Sequence, residues 1–174
     1  AGVLSAEYLG GQLSESDGNL ITLDMGGTSA DISVIPGEVL ERDPRDSTIA
    51  GGYPVLTPII DVEAIGSGGG SIAWFDHAKG FNIGPKSAGA DPGPACYGRG
   101  NDRPTITDAQ VVLGRLNPET FLGGEFDLDV DRATAAIEEF LCEASDDARF
   151  ETPTAAALST LEVANTKMQQ AIRE

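Results

Sequence analysis

Asp24, Gly26, Gly27, Thr28 and Ser29 fall within one short stretch, ITLDMGGTSADISVI, and their types and spacing could do chemistry together. Gly26 and Gly27 can take positive φ and carry no Cβ, so an anion can approach the main chain there. Their amides, with that of Thr28, can point into one concavity and form an anion-binding nest. The Thr28 and Ser29 hydroxyls add donors for phosphate oxygens. Asp24 cannot sit against a phosphate unaided, but it can face a magnesium ion or that ion's water shell, which phosphates share. No lysine follows the glycines, so the stretch is not a Walker loop. A Gly-Gly pair between two apolar runs equally makes a plain hairpin turn, and these residues alone do not separate the two readings. Asp31 reads as an edge-strand solubiliser in preference to a second metal-shell carboxylate.

A second group lies in IDVEAIGSGGGS. Asp61 and Glu63 are two apart on an expected strand, which puts their side chains on one face. Such a pair could hold a divalent cation or work as acid and base. It could also simply face solvent in an acidic protein. Gly68 and Gly69, in the glycine run 66–70, could bring backbone against a ligand or let strands pack closely. Cys96 and Cys142 form no CxxC unit, so a disulfide framework or cysteine zinc site is not expected. The only histidine, His77, falls at an expected hairpin tip. Cys96 therefore has no base beside it in the pattern and reads as a small buried residue. A Ser/His/Asp triad or polyhistidine zinc site within this chain is excluded. Asp108 reads as a first-turn acid suited to the helix dipole, and Trp74 and Phe75 as core or interface residues.

The elements that must position these residues follow from periodicity. Residues 2–9 read as helix, and 19–24 and 30–35 as two strands around the Gly-Gly turn. Residues 38–42 extend that meander, and 58–65 form a further strand ending at the glycine run. SIAWFD, HAKG and FNIG read as strand, turn and strand, followed by a Gly/Pro loop over 84–104. Thr107 is the expected cap of the next helix, with Gln110 completing a capping box. Residues 129–142 place Val130, Ala133, Ile137 and Leu141 on one face. A last helix over 152–173 starts with Thr152 as cap and Pro153 at its first position, burying Leu161, Ala164, Met168 and Ile172. Strands first and helices later make one compact α/β unit.

The bulk numbers narrow the function classes. With 174 residues and 40% hydrophobic content the chain can bury a core. It carries 28 acidic and 11 basic side chains, a net charge of −17. Such a surface repels nucleic acid and anionic membranes. The acids are scattered, which fits a cytoplasmic protein of a salt-loving organism better than an acidic partner-binding tail. No stretch reaches the roughly 20 apolar residues of a membrane span. The opening AGVLSAEYLGG reads as a helix already under way, as if the chain begins inside a domain.

LDMGGTSADISVI resembles the second phosphate loop of the actin-like ATPase superfamily. More specifically, it is similar to the hydantoinase/oxoprolinase family, as are IDVEAIGSGGGSIAWFD, GPKSAGADPGPACYGRG, PTITDAQVVLGRLNPETFLGGE and the terminal ANTKMQQAIRE, in the family's order. The resemblance implies an α/β fold of the actin-like (ribonuclease H-like) type, with the chain as a middle segment of a longer enzyme. It implies ATP and Mg²⁺, with a second divalent metal as an option, and a small cyclic amide such as a hydantoin or 5-oxoproline as substrate. Asp24 would organise Mg²⁺; Gly26, Gly27, Thr28 and Ser29 would hold phosphates; Gly68 and Gly69 would lie near the ligand cleft. Asp61 and Glu63 would be metal candidates, although many members carry a histidine where Glu63 stands. A partner subunit of hydantoinase B type is implied too. An ATP-dependent ketone carboxylase and a non-catalytic interaction module are the alternatives.

Overall fold

The computed structural model describes residues 2–13, 19–37, 41–42, 48–49, 53–54 and 59–173. The described chain is mixed α/β, with strands early and helices later. It divides into two compact units. One comprises Ala1–Asp24 and Asp31–Ala64; the other comprises Met25–Ala30 and Ile65–Arg173.

In the first unit, α1 (Gly2–Leu13) is followed by β1 (Asn19–Met25) and β2 (Ala30–Pro36). Four short strands come next: β3 (Glu41–Arg42), β4 (Thr48–Ile49), β5 (Tyr53–Pro54) and β6 (Ile59–Ile60). β7 (Glu63–Ile65) completes a three-stranded sheet in the order β1-β2-β7. The central strand supplies the core, with Ile32 and Ile35 buried. Two expectations change here. Residues 59–65 are not one strand, because β6 and β7 belong to different sheets and part at Asp61-Val62. The buried Ser33 hydroxyl donates to the Asp61 carbonyl at 2.8 Å, so a side chain uses the group that a strand ladder would have used. Residues 41–42 pair antiparallel with β6 instead of extending the β1–β2 meander; residues 38–40 and 58 lie outside the described residues.

The second unit opens with an antiparallel hairpin, β8 (Ser71–Phe75) and β9 (Phe81–Ser87). Asp76 closes its turn by accepting from the amides of Ala78 at 2.9 Å and Gly80 at 2.8 Å. These bonds hold its carboxyl below the usual range, the Gly80 amide contributing most. His77 is exposed at the tip, as expected. Three helices follow: α2 (Ile106–Val112), α3 (Val130–Ile137) and α4 (Pro153–Arg173). Asp129 caps α3, and the helical path widens into a π turn over Glu138–Cys142. Ala133, Ile137 and Leu141 are buried, whereas Val130, expected on the same face, is exposed. Thr152 caps α4 as its sequence predicts, accepting from the Ala155 amide at 3.2 Å. Of its expected stripe, Leu161 and Ala164 are buried and Met168 packs at the core's edge.

The hairpin and helices meet through aromatic rings. Phe150 lies 4.9 Å from Phe75 and 4.8 Å from Phe81, centroid to centroid, in edge-to-face contacts. Ala109 of α2 and Ala156, Ala157 and Ala164 of α4 are all buried in this core, and α2 packs on α4. Phe150 is 1% exposed and touches both strands of the hairpin. Phe150→Ala is expected to cost about 3–5 kcal/mol, read as a lower urea midpoint with an unchanged slope.

Candidate functional site

The 26–29 turn is fixed from outside. The Gly69 amide donates to the Gly26 carbonyl at 2.9 Å, and the Gly70 amide to the Gly27 carbonyl at 2.6 Å. The Ser71 hydroxyl reaches the Thr28 carbonyl at 3.5 Å. Three successive carbonyls are thus turned toward the 66–71 loop, while the Gly26 amide closes the turn on the Ser29 carbonyl at 2.8 Å. The amides of Gly27 and Thr28 take no part in these bonds. Neither Gly26 nor Gly27 enters the left-handed region, contrary to the expectation of positive φ. The turn is therefore not a primed hairpin turn or an alternating nest, because the bonds from Gly69 and Gly70 set its path.

Gly68 shows the more demanding use of glycine. A Cβ there would come 2.5 Å from the Ser29 nitrogen and the Thr28 carbonyl carbon. Close approach to the turn, not φ, excludes a side chain. A Cβ on Gly27 would meet nothing within 4 Å. Gly27 is exposed, so its missing side chain leaves main chain bare toward open space.

α2 ties this assembly to a second loop. Thr107 donates to the Gly69 carbonyl twice, through its amide at 2.8 Å and its hydroxyl at 3.0 Å. The next residue, Asp108, is fully buried. Its carboxyl oxygens accept from the amides of Cys96 at 2.8 Å, Thr105 at 2.9 Å and Ala95 at 3.2 Å, and from the Thr105 hydroxyl at 2.7 Å. The helix cap is accordingly Thr105 with Asp108, two residues before the expected Thr107–Gln110 pair. Asp108 does far more than complement a helix dipole: it holds the 94–97 segment against α2. Cys96, beside it, is fully buried, and burial, followed by the negative Asp108, pushes its thiol well above the usual range. It is a packing residue, as expected, and a poor nucleophile.

The 26–29 turn and the 94–99 loop border one cavity of about 400 Å³. Gly27, Thr28, Gly70 and Thr107 line one part; Tyr97, Arg99, Phe121 and Phe126 line another. Sequence reasoning missed this second group. Tyr97 and Arg99 fall in the stretch read only as a Gly/Pro loop over 84–104, and nothing in it told that they face a cavity. Trp74 lies elsewhere, with Ile72, Pro85, Lys86 and Arg103 around a separate cavity, and its indole N–H donates to the Gly84 carbonyl at 2.7 Å.

The carboxylate candidates belong to the first unit. Asp24 and Asp31 both line a cavity there, with Gly2, Thr22, Leu23 and Val62 among its other walls. Asp31 thus shares a cavity wall with Asp24, which its reading as a solubiliser did not include. Asp61 sits between strands and Glu63 begins β7, so the expected shared strand face does not form. Among the described residues no group of three or more His, Cys, Asp or Glu side chains gathers as a metal site would. Among them, too, no helix is long and apolar enough to cross a membrane.

The hydantoinase/oxoprolinase family model matches residues 1–174. The chain belongs to the hydantoinase/oxoprolinase family. A protein of Methanocaldococcus jannaschii, named only as uncharacterized, is 42% identical over 99% of the chain. Caprolactamase subunit alpha of Pseudomonas jessenii is 45% identical over 72% of it. Among solved structures, a nucleotide-free acetone carboxylase, from work on ATP-dependent acetone carboxylation, superposes with a TM-score of 0.83 at 31% identity over 99% of the chain. The ATP-dependent caprolactamase of Pseudomonas jessenii superposes with a TM-score of 0.71 at 38% identity over 89%. The chain spans 26% and 18% of the length of the two sequence relatives and 23% and 22% of the two solved chains.

Two substitutions test how this hydantoinase/oxoprolinase family chain is built. Gly68→Ala is expected to cost about 1–3 kcal/mol by forcing the backbone of the 26–29 turn aside, seen in a denaturant titration. Asp108→Ala strands three buried amides and is expected to cost at least about 3 kcal/mol. Its signature is faster hydrogen exchange at Ala95, Cys96 and Thr105.

Proposed function

We propose that the chain is a segment of an actin-like (ribonuclease H-like) ATPase domain in an enzyme that opens cyclic amides at the expense of ATP. The observation that carries this reading is the 26–29 turn. Its carbonyls are occupied by the 66–71 loop, its Gly27 and Thr28 amides are not used in fixing it, and both residues line a cavity. Those amides and the Thr28 and Ser29 hydroxyls are the donors that phosphate oxygens need. Gly68 and Gly69 act from behind, holding the turn in place. Magnesium, when bound, neutralises charge on the phosphates. Asp24 is a candidate ligand for a divalent cation, with Asp31 lining the same cavity as a further carboxylate; hard divalent cations take such oxygen donors. Asp61 and Glu63 remain candidates for a second metal.

The relatives' names support a shared activation step. They include a 5-oxoprolinase, a caprolactamase subunit, and subunits of acetone and acetophenone carboxylases. An amide carbonyl is a poor electrophile. Transfer of the terminal phosphoryl group of ATP to its oxygen releases ADP and makes the carbon attackable. Water adds at that carbon and the ring C–N bond breaks, with nitrogen leaving as the amine. A second water then releases phosphate from the acyl phosphate, leaving the carboxylate. What the chain supplies is positioning and charge stabilisation for the phosphoryl group, the largest gain available to such a site.

A ketone carboxylase is the second reading, favoured by the acetone carboxylase superposition over 99% of the chain. Relatives named as subunits support a partner subunit for either. The test uses the longest natural chain carrying this segment, with any co-encoded partner. Mg-ATP titration is followed by ADP release with hydantoin, 5-oxoproline, caprolactam, or ketone plus bicarbonate. Ring opening coupled to ADP release is the expected result. ADP release only with ketone and bicarbonate supports the carboxylase, and absence of ATP binding leaves an interaction module. Gly27→Ala adds a methyl group where nothing lies within 4 Å. It is expected to leave thermal stability unchanged yet weaken Mg-ATP by about tenfold.

A further inference from the structure

The cavity beside the 26–29 turn differs in charge from the chain as a whole. With 28 acidic and 11 basic side chains, a wall is far more often acidic than basic. Yet among the described residues no Asp or Glu lines this cavity and Arg99 does, as Lys86 and Arg103 line the separate cavity around Trp74. Arg99 also has no carboxylate partner among the described residues, unlike Arg132, paired with Asp129, and Arg149, paired with Asp147.

An aromatic seat holds its guanidinium. It lies 4.9 Å from the Phe126 ring centroid and 5.8 Å from that of Tyr97. Phe126 and Tyr97 meet edge to face at 5.1 Å, and Phe121 stands 6.1 Å from Tyr97. One polar contact is present, from Nη1 to the Ala90 carbonyl at a long 3.5 Å. An arginine placed on rings keeps its planar fork of N–H donors for an oxyanion, and it does not lose its charge. Gly27, Thr28, Gly70 and Thr107 are also part of the wall.

We propose that Arg99 is a catalytic residue that binds the oxygens of the transferred phosphoryl group, opposite the donors of the 26–29 turn. This rests on reading that turn as a phosphate site. A nucleoside triphosphate places its terminal phosphate there, and a diphosphate does not. Arg99 therefore contributes selectivity for ATP over ADP as well as stabilising charge during transfer.

The experiment is calorimetric titration of the longest natural chain with Mg-ATP and Mg-ADP, comparing wild type, Arg99→Gln and Arg99→Lys. Arg99→Gln is expected to weaken ATP by about 10–100-fold, the loss of charge-assisted bonds. ADP is expected to change by less than about threefold, within the scatter of such contacts. Arg99→Lys keeps the charge without the stacked fork and should fall between. If Arg99→Gln unfolds, the ADP-to-ATP affinity ratio of Arg99→Lys decides alone: a ratio equal to wild type overturns the proposal. Equal losses of ATP and ADP, or no loss, overturn it too while leaving the phosphate turn intact. Wild type binding neither nucleotide brings down both the turn reading and the Arg99 assignment.

Discussion

The candidate site depends on one buried carboxyl group. Among the described residues Asp108 has no ion-pair partner, yet it lies fully inside the second unit with four donors on its two oxygens. Burying such a group is tolerable only when its lone pairs are met. Meeting them dictates local structure: Thr105 must cap α2, and residues 95 and 96 must present their amides inward. The neighbouring Thr107 turns the other way and binds the Gly69 carbonyl. The first turn of α2 therefore fixes two loops at once. One carries the glycines that brace the 26–29 turn, and the other carries Tyr97 and Arg99. Both border one cavity because the two adjacent side chains, Thr107 and Asp108, reach different loops.

This arrangement explains why side chains are so sparse around the turn. Gly68 must be bare because backbone lies 2.5 Å from where its Cβ would be. Gly70 is similarly confined, with the Gly27 carbonyl 2.8 Å from the equivalent position. The shortest bonds that hold the turn, from the Gly69 and Gly70 amides, join main-chain groups, which cannot rotate away as a long side chain can. A turn held through its carbonyls has its amides oriented before any ligand arrives, so little ordering entropy remains to be lost on binding.

Much of the frame was legible in the sequence. The β1–turn–β2 unit, the β8–β9 hairpin with His77 at its tip, and the Thr152-Pro153 start of α4 all follow from short-range chemistry, which is what pattern reading captures. The misses involve bonds to distant residues. The cap of α2 moved to Thr105 because Asp108 is drawn inward by residues 95 and 96, and no local pattern shows that pull. Residues 59–65 alternate like a single strand, but the Ser33 hydroxyl takes the Asp61 carbonyl across 28 positions. Gly26 and Gly27 invited a left-handed turn, whereas the real demand for glycine falls on Gly68, a residue that packs against them. Arg99 was invisible as a site residue because its rings, Phe126 and Tyr97, come from separate loops.

The cavity rim adds strained backbone to this account. Leu122 sits at φ 50° and ψ 40°, followed by Gly123 at φ 75° and Gly124 at φ 84°. A leucine in the left-handed region costs on the order of 1 kcal/mol, and Leu122 is 68% exposed, so burial does not offset that cost. The compensation lies on either side of the bend. Phe121 and Phe126 both pack near Tyr97, with ring centroids 6.1 Å and 5.1 Å away. They stand five positions apart, and the tight left-handed reversal between them lets both return to the same tyrosine. An extended path over that span would carry Phe126 away from Phe121. The strain at Leu122 is thus tied to the aromatic seat beneath the guanidinium.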